Sequence, residues 1–199
     1  NITPDQKYLC AVDLGVDQVK IYKFNDETGK ITLVDMLRCE LESAPRIIKF
    51  SPDGRFAYLI CELKNYISVY TYKDGPRGPV FELVQTISTL NEYHSKGSAA
   101  CVLRFSRDWN YVLCSNAGDN SVGIFKIDRE PGMLEKICIL PISGDYPKAA
   151  DFFPDNRHIM ALNHESNTMT IFRINYEKKY FSLWGKPLKV ETPNCVLVS

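Results

Sequence analysis

Apolar residues in this chain fall in short runs separated by polar segments rich in Asp, Asn, Gly and Pro. Within a run they often alternate with polar or amphipathic residues. Ile67, Val69 and Thr71 point to one side, and Ser68, Tyr70 and Tyr72 to the other. That two-residue period is the mark of a strand. Apolar stripes at helical spacing are too short to predict a helix of ordinary length.

The runs recur at intervals of about fifty residues, the scale of a stacked supersecondary unit. Anchored at Pro4, Pro52, Arg107 and Pro154, four copies align without gaps, with steps of 48, 55 and 47. Each anchor is followed by Asp5, Asp53, Asp108 or Asp155. Further along the register stand Asp13, Cys61, Asn116 and Asn163, then Asp17, Asn65, Asn120 and Asn167. Ile21-Tyr22, Val69-Tyr70, Ile124-Phe125 and Ile171-Phe172 follow.

Each copy reads as four strands: a run into the anchor such as 46–50, then 56–61, the alternating run around 67–72, and a more polar fourth strand such as 31–39. Turns such as Ser51-Pro52-Asp53-Gly54 separate them, proline presetting φ and glycine tolerating positive φ. Four strands per repeat predict an all-β protein, a β-propeller of four four-stranded blades. It is one domain over 1–199, with repeats over about 4–51, 52–106, 107–153 and 154–192 and a closing strand at 193–198. The number of blades in the complete ring stays open on this count alone.

Composition narrows function by exclusion. Lys+Arg and Asp+Glu balance at 24 each, so no broad basic footprint predicts nucleic-acid binding. No apolar run is long enough for a membrane-spanning helix. Seven cysteines show no metal-ligand spacing, and most lie inside strand patterns. That scattered, odd set predicts a reducing cytoplasm, with neither metal nor cofactor expected.

Several stretches resemble the lactonase family of seven-bladed propellers, and the resemblance covers nearly the whole chain. They are Asp13-Leu14-Gly15; Pro45-Arg46 through Phe50-Ser51-Pro52-Asp53-Gly54-Arg55-Phe56-Ala57-Tyr58; Glu62-Leu63 with Asn65; Gln85 to Leu90; Ala99-Ala100 through Arg104-Phe105-Ser106; Ser115-Asn116 with Gly118; and Pro193-Asn194-Cys195-Val196. The resemblance implies that the chain is the last four blades of a seven-bladed ring. An arc of four blades would leave apolar flanks uncovered, so association with further blades or another copy is expected.

First strands line a propeller's channel and the turns at one end ring its mouth, which is where side chains from different blades converge. The channel strands offer Arg46, Lys49, Arg104, Lys148 and Asp151; the mouth turns offer Glu62, Asn116 and His164; the insertion at 89–98 carries His94. The resemblance implies hydrolysis of a phosphorylated sugar lactone, 6-phosphogluconolactone being the family's named substrate. Glu62 would be the base, with Arg46 or Arg104 polarising the carbonyl. Lys49, Lys148, Asn116, His164 and His94 would bind substrate. Where family members read Pro-Arg-His and Asn-Arg-Gly, this chain has Ile47 and Ala117. Those departures keep two alternatives open: a non-catalytic scaffold that binds a ligand or protein, and a lactonising enzyme of the same fold.

Overall fold

A computed structural model describes residues 1–91 and 97–198. Its regular structure is β apart from one 3-10 turn at Leu14–Val16, and it divides into two compact units, Asn1–Ile87 and Ser88–Ser199.

In the first unit, β1 (Tyr8–Asp13), β2 (Gln18–Phe24) and β3 (Ile31–Arg38) form one sheet in chain order. Four further strands, β4 (Pro45–Phe50), β5 (Phe56–Cys61), β6 (Tyr66–Gly75) and β7 (Gly78–Ser88), form the next. Along the free edge of β1, Ile2 bridges Leu9, and the Asn1 carbonyl accepts from the Cys10 N–H at 2.7 Å. The core lies between the two sheets, with Cys10, Val19 and Ile21 from one and Ile48, Ala57, Leu59 and Tyr70 from the other.

The second unit repeats the plan. One sheet is β8 (Ala100–Phe105), β9 (Tyr111–Asn116), β10 (Ser121–Ile127) and β11 (Leu134–Pro141). The other is β12 (Pro147–Phe152), β13 (His158–Asn163), β14 (Thr168–Asn175) and β15 (Tyr180–Leu183), and the two-residue β16 (Leu188–Lys189) extends the pairing along β14. Val102, Leu113, Ile124, Phe152, Ile159 and Phe172 fill the space between them.

Local chemistry explains why the sequence turns where it does. At the first three anchors, Thr3, Ser51 and Ser106 each donate a hydroxyl to the following aspartate at 2.6 Å. The same hydroxyls accept from the N–H of Tyr8, Phe56 and Tyr111. The fourth copy has Phe153 instead of a hydroxyl residue, and there Asp155 accepts from the N–H groups of Arg157 and His158 and meets His158 Nδ1 at 2.6 Å.

The second repeated turn is held differently. Asp17, Asn65, Asn120 and Asn167 all take left-handed φ between 51° and 53°, a conformation Asn and Asp tolerate better than most residues. Asp17, Asn120 and Asn167 reach forward into the segment leading out of their own sheet. Asp17 accepts from Glu42 and Ala44 N–H at 2.7 and 2.8 Å, Asn120 from Tyr146 N–H at 2.8 Å, and Asn167 from Thr192 N–H at 2.7 Å.

Two sequence expectations change. The alternating strand β6 is buried on both faces, since Ile67, Ser68, Val69 and Tyr70 are all inaccessible; alternation there marks two packed faces instead of one wet face. The segment 193–198 forms no strand among the described residues. A strand requires a paired neighbour, and this segment has no ladder in the structure.

Candidate functional site at the sheet mouths

The first strand of three sheets contains an irregularity that the sequence does not announce. Pro45 pairs with Cys61 but Ile47 with Ile60, so Arg46 is an extra residue opposite no partner of its own. Cys101 and Lys148 occupy the same place in β8 and β12, between Ala100 and Val102 and between Pro147 and Ala149. A bulge bends its strand and re-aims the extra side chain. Two of the three bulged residues are cations.

The other half of the mouth follows the second strand. Glu62, Ala117 and His164 come directly after β5, β9 and β13, and their N–H groups donate to the carbonyls of Ala44, Ala99 and Tyr146 at 2.8, 2.8 and 3.0 Å. The repeat therefore sets Glu62 beside the Arg46 bulge and gives His164 the corresponding place beside the Lys148 bulge.

In the first unit the two meet. Arg46 Nη1 donates to Glu62 Oε2, with the Arg46 side chain 39% and the Glu62 side chain 20% exposed, so the pair is open enough to be approached. Lys49 lies further along β4, opposite Tyr58 and half-buried. In the second unit, Arg104 on β8 places Nε 3.5 Å from Asp151 Oδ2 on the neighbouring β12. Lys148 Nζ sits 5.7 Å from the ring centre of Tyr146, within cation–π range. The Nδ1 of His164 is buried and has no hydrogen-bond partner among the described residues.

Asn116 is fully buried. Its amide nitrogen donates to the Thr89 carbonyl at 2.8 Å and the Ser121 hydroxyl at 3.0 Å, so it braces the sheet end and, contrary to the expectation from sequence, presents no surface to a substrate. His94 lies outside the described residues. The bulges and Tyr146 are what sequence reasoning missed. A proline at the first position of β4 and β12, followed by a cation, was the available signal.

A carboxylate and a guanidinium in contact can divide the work of acyl-group hydrolysis: one receives a proton from water, the other donates N–H groups to a developing oxyanion. Arg46 uses one nitrogen on Glu62, and a guanidinium carries five N–H donors in all.

A family model described as "Lactonase, 7-bladed beta-propeller" matches residues 1–198. A Lactococcus lactis protein is 32% identical over 99% of this chain and 57% of its own length. The 6-phosphogluconolactonase of Bacillus subtilis is 27% identical over 98% of the chain and 54% of its own length. Among solved structures, the periplasmic gluconolactonase PpgL of Pseudomonas aeruginosa superposes with a TM-score of 0.89 at 25% identity, covering 98% of this chain and 54% of that one. The chain thus spans about half the length of the relatives it matches.

Proposed function

The chain belongs to the lactonase family of seven-bladed β-propellers, and from that premise we propose that its protein hydrolyses a sugar lactone, 6-phosphogluconolactone, to the open-chain acid. The observation that carries this reading is the Arg46–Glu62 contact at the mouth of one sheet. The Glu62 carboxylate takes a proton from water as the water oxygen bonds to the lactone carbonyl carbon. Arg46 N–H groups hold the negative charge that develops on the carbonyl oxygen. The ring C–O bond then breaks, and the leaving alkoxide recovers the proton from Glu62.

A phosphorylated substrate is favoured by the cations that the first strands carry, Lys49 toward the far end of β4, Arg104 toward the far end of β8 and Lys148 at the β12 bulge, because phosphate selects Arg forks and Lys point charges. Arg104, with Asp151 against its Nε, keeps its place as the other candidate electrophile, and His164 and His94 as candidate substrate contacts, whereas Asn116, with no exposed surface, cannot touch substrate directly. Seven free thiols favour a reducing compartment, the cytoplasm.

The test is lactone clearance by the full-length protein, measured above spontaneous opening with phosphorylated and unphosphorylated gluconolactone side by side. Faster clearance of the phosphorylated lactone is expected. Clearance of only the unphosphorylated lactone would keep the hydrolase and discard the phosphate. Absence of clearance together with tight binding of 6-phosphogluconate would replace the enzyme with the binding scaffold that Ile47 and Ala117 suggest.

A further inference from the structure

The repeat sets a bulge cation beside a turn residue at two sheet ends and fills the two places differently. In the first unit Arg46 meets a carboxylate, Glu62. The matching turn residue in the second unit is His164, and the bulge cation Lys148 meets no carboxylate among the described residues. Lys148 is half-buried, and the acids around it do not answer its charge. Asp145 Oδ1 accepts from Asn120 Nδ2 at 3.1 Å, Asp151 faces Arg104, and Glu165 is exposed. The ammonium stands instead 5.7 Å from the centre of the Tyr146 ring, a contact that attracts the charge without neutralising it.

Tyr146 is fixed by its backbone. It takes a left-handed φ of 60°. Its N–H donates to Asn120 Oδ1 at 2.8 Å, and its carbonyl accepts from His164 N–H at 3.0 Å. Ala44, the equivalent residue before Pro45, is left-handed too, at 53°, and buried. The turn therefore requires this backbone and not a tyrosine. What the tyrosine adds is a ring against Lys148. That ring confines the flexible lysine stem, so less rotamer freedom is lost when a ligand engages the ammonium. His164 supplies a second donor. Its Nδ1 is enclosed without a partner among the described residues, and a shut-in N–H is the costlier orphan, so the ring proton belongs on Nε2.

We propose that Lys148, with Tyr146 as its positioning residue and His164 as a further donor, recognises a phosphate monoester, the phosphate of a sugar acid. A half-buried ammonium without a counter-ion calls for an anion, and a phosphate offers it several acceptor oxygens at once. A neutral hydroxyl or carbonyl would leave the charge uncompensated. The inference rests on the sugar-phosphate reading above for the ligand and makes no use of hydrolysis.

The test is calorimetric binding of 6-phosphogluconate and of gluconate to the full-length protein, with inorganic phosphate as competitor. Wild type should bind 6-phosphogluconate about 10-fold or more tightly than gluconate. Lys148→Met should lose most of that preference and keep the affinity for gluconate, while Lys186→Met, at an exposed lysine of the same unit, should change neither. Tyr146→Ala, which the backbone accepts as Ala44 shows, should weaken 6-phosphogluconate several-fold. Tyr146→Phe, which keeps the ring, should bind as wild type does. Inorganic phosphate should displace 6-phosphogluconate from the wild type and not from Lys148→Met. No preference in the wild type, an unchanged preference in Lys148→Met, equal displacement from both, or Tyr146→Phe as weak as Tyr146→Ala would each overturn the proposal. Lactone clearance can fail while this preference stands, and can persist without it, so the two readings fall separately.

Discussion

At the scale of single residues, one aspartate per repeat does conformational work that its position after the anchor already suggests. Burial opposes ionisation of Asp53, but the Ser51 hydroxyl, the Arg55 guanidinium and the Arg55 N–H outweigh it and bring its pKa to about 2. Asp5, Asp108 and Asp155 are lowered in the same way, against the same opposition from burial, by hydrogen bonds from Thr3, Ser106 and His158 respectively, among others. Each folded pKa lies below its unfolded value, so the native state binds fewer protons. Their contribution is complete above the unfolded value of about 4 and is lost as pH falls through the folded one. Thermal midpoints should therefore decline between about pH 5 and about pH 2, and Asp53→Asn should flatten that decline; an unchanged slope would show that the turn carboxylates contribute nothing. These residues were readable as turn formers because they recur identically. Arg46 was readable as a candidate cation, but not as a bulge, since register depends on the partner strand and leaves no local trace.

Among the elements, the four-strand repeat was legible from period and alternation, while the ties between sheets were not. Asx residues at the second turn predict left-handed φ, as found at Asn120. Nothing in the sequence says that the Asn120 carbonyl oxygen then holds Tyr146 N–H at the entry to the next strand. Asn120→Ala would combine a left-handed alanine with an unpaired N–H, and should cost about 2 kcal/mol in urea unfolding. An unaffected midpoint would mean the tie is ornamental. The segment 193–198 resembles the other first strands in sequence and pairs with no strand here, because strand formation needs a partner edge that pattern alone does not supply.

Across the whole molecule, the family match and the all-β sheets agree that this is propeller material. The first sheet nevertheless leaves Phe24, Ile31, Leu33 and Val34 between 44% and 51% exposed. Apolar surface of that kind favours association, so the isolated chain should sediment as more than a monomer at micromolar concentration. A persistent monomer would show that this surface is tolerated. Whether Arg46 and Glu62 act as one unit is tested most directly by a double-mutant cycle on lactone clearance by the full-length protein. Glu62→Gln and Arg46→Met should each lower kcat/KM by about 10²-fold or more, and the double variant should be little worse than either, because paired catalytic groups fail together. Wild-type kcat/KM in Glu62→Gln, or losses that simply multiply in the double variant, would contradict it.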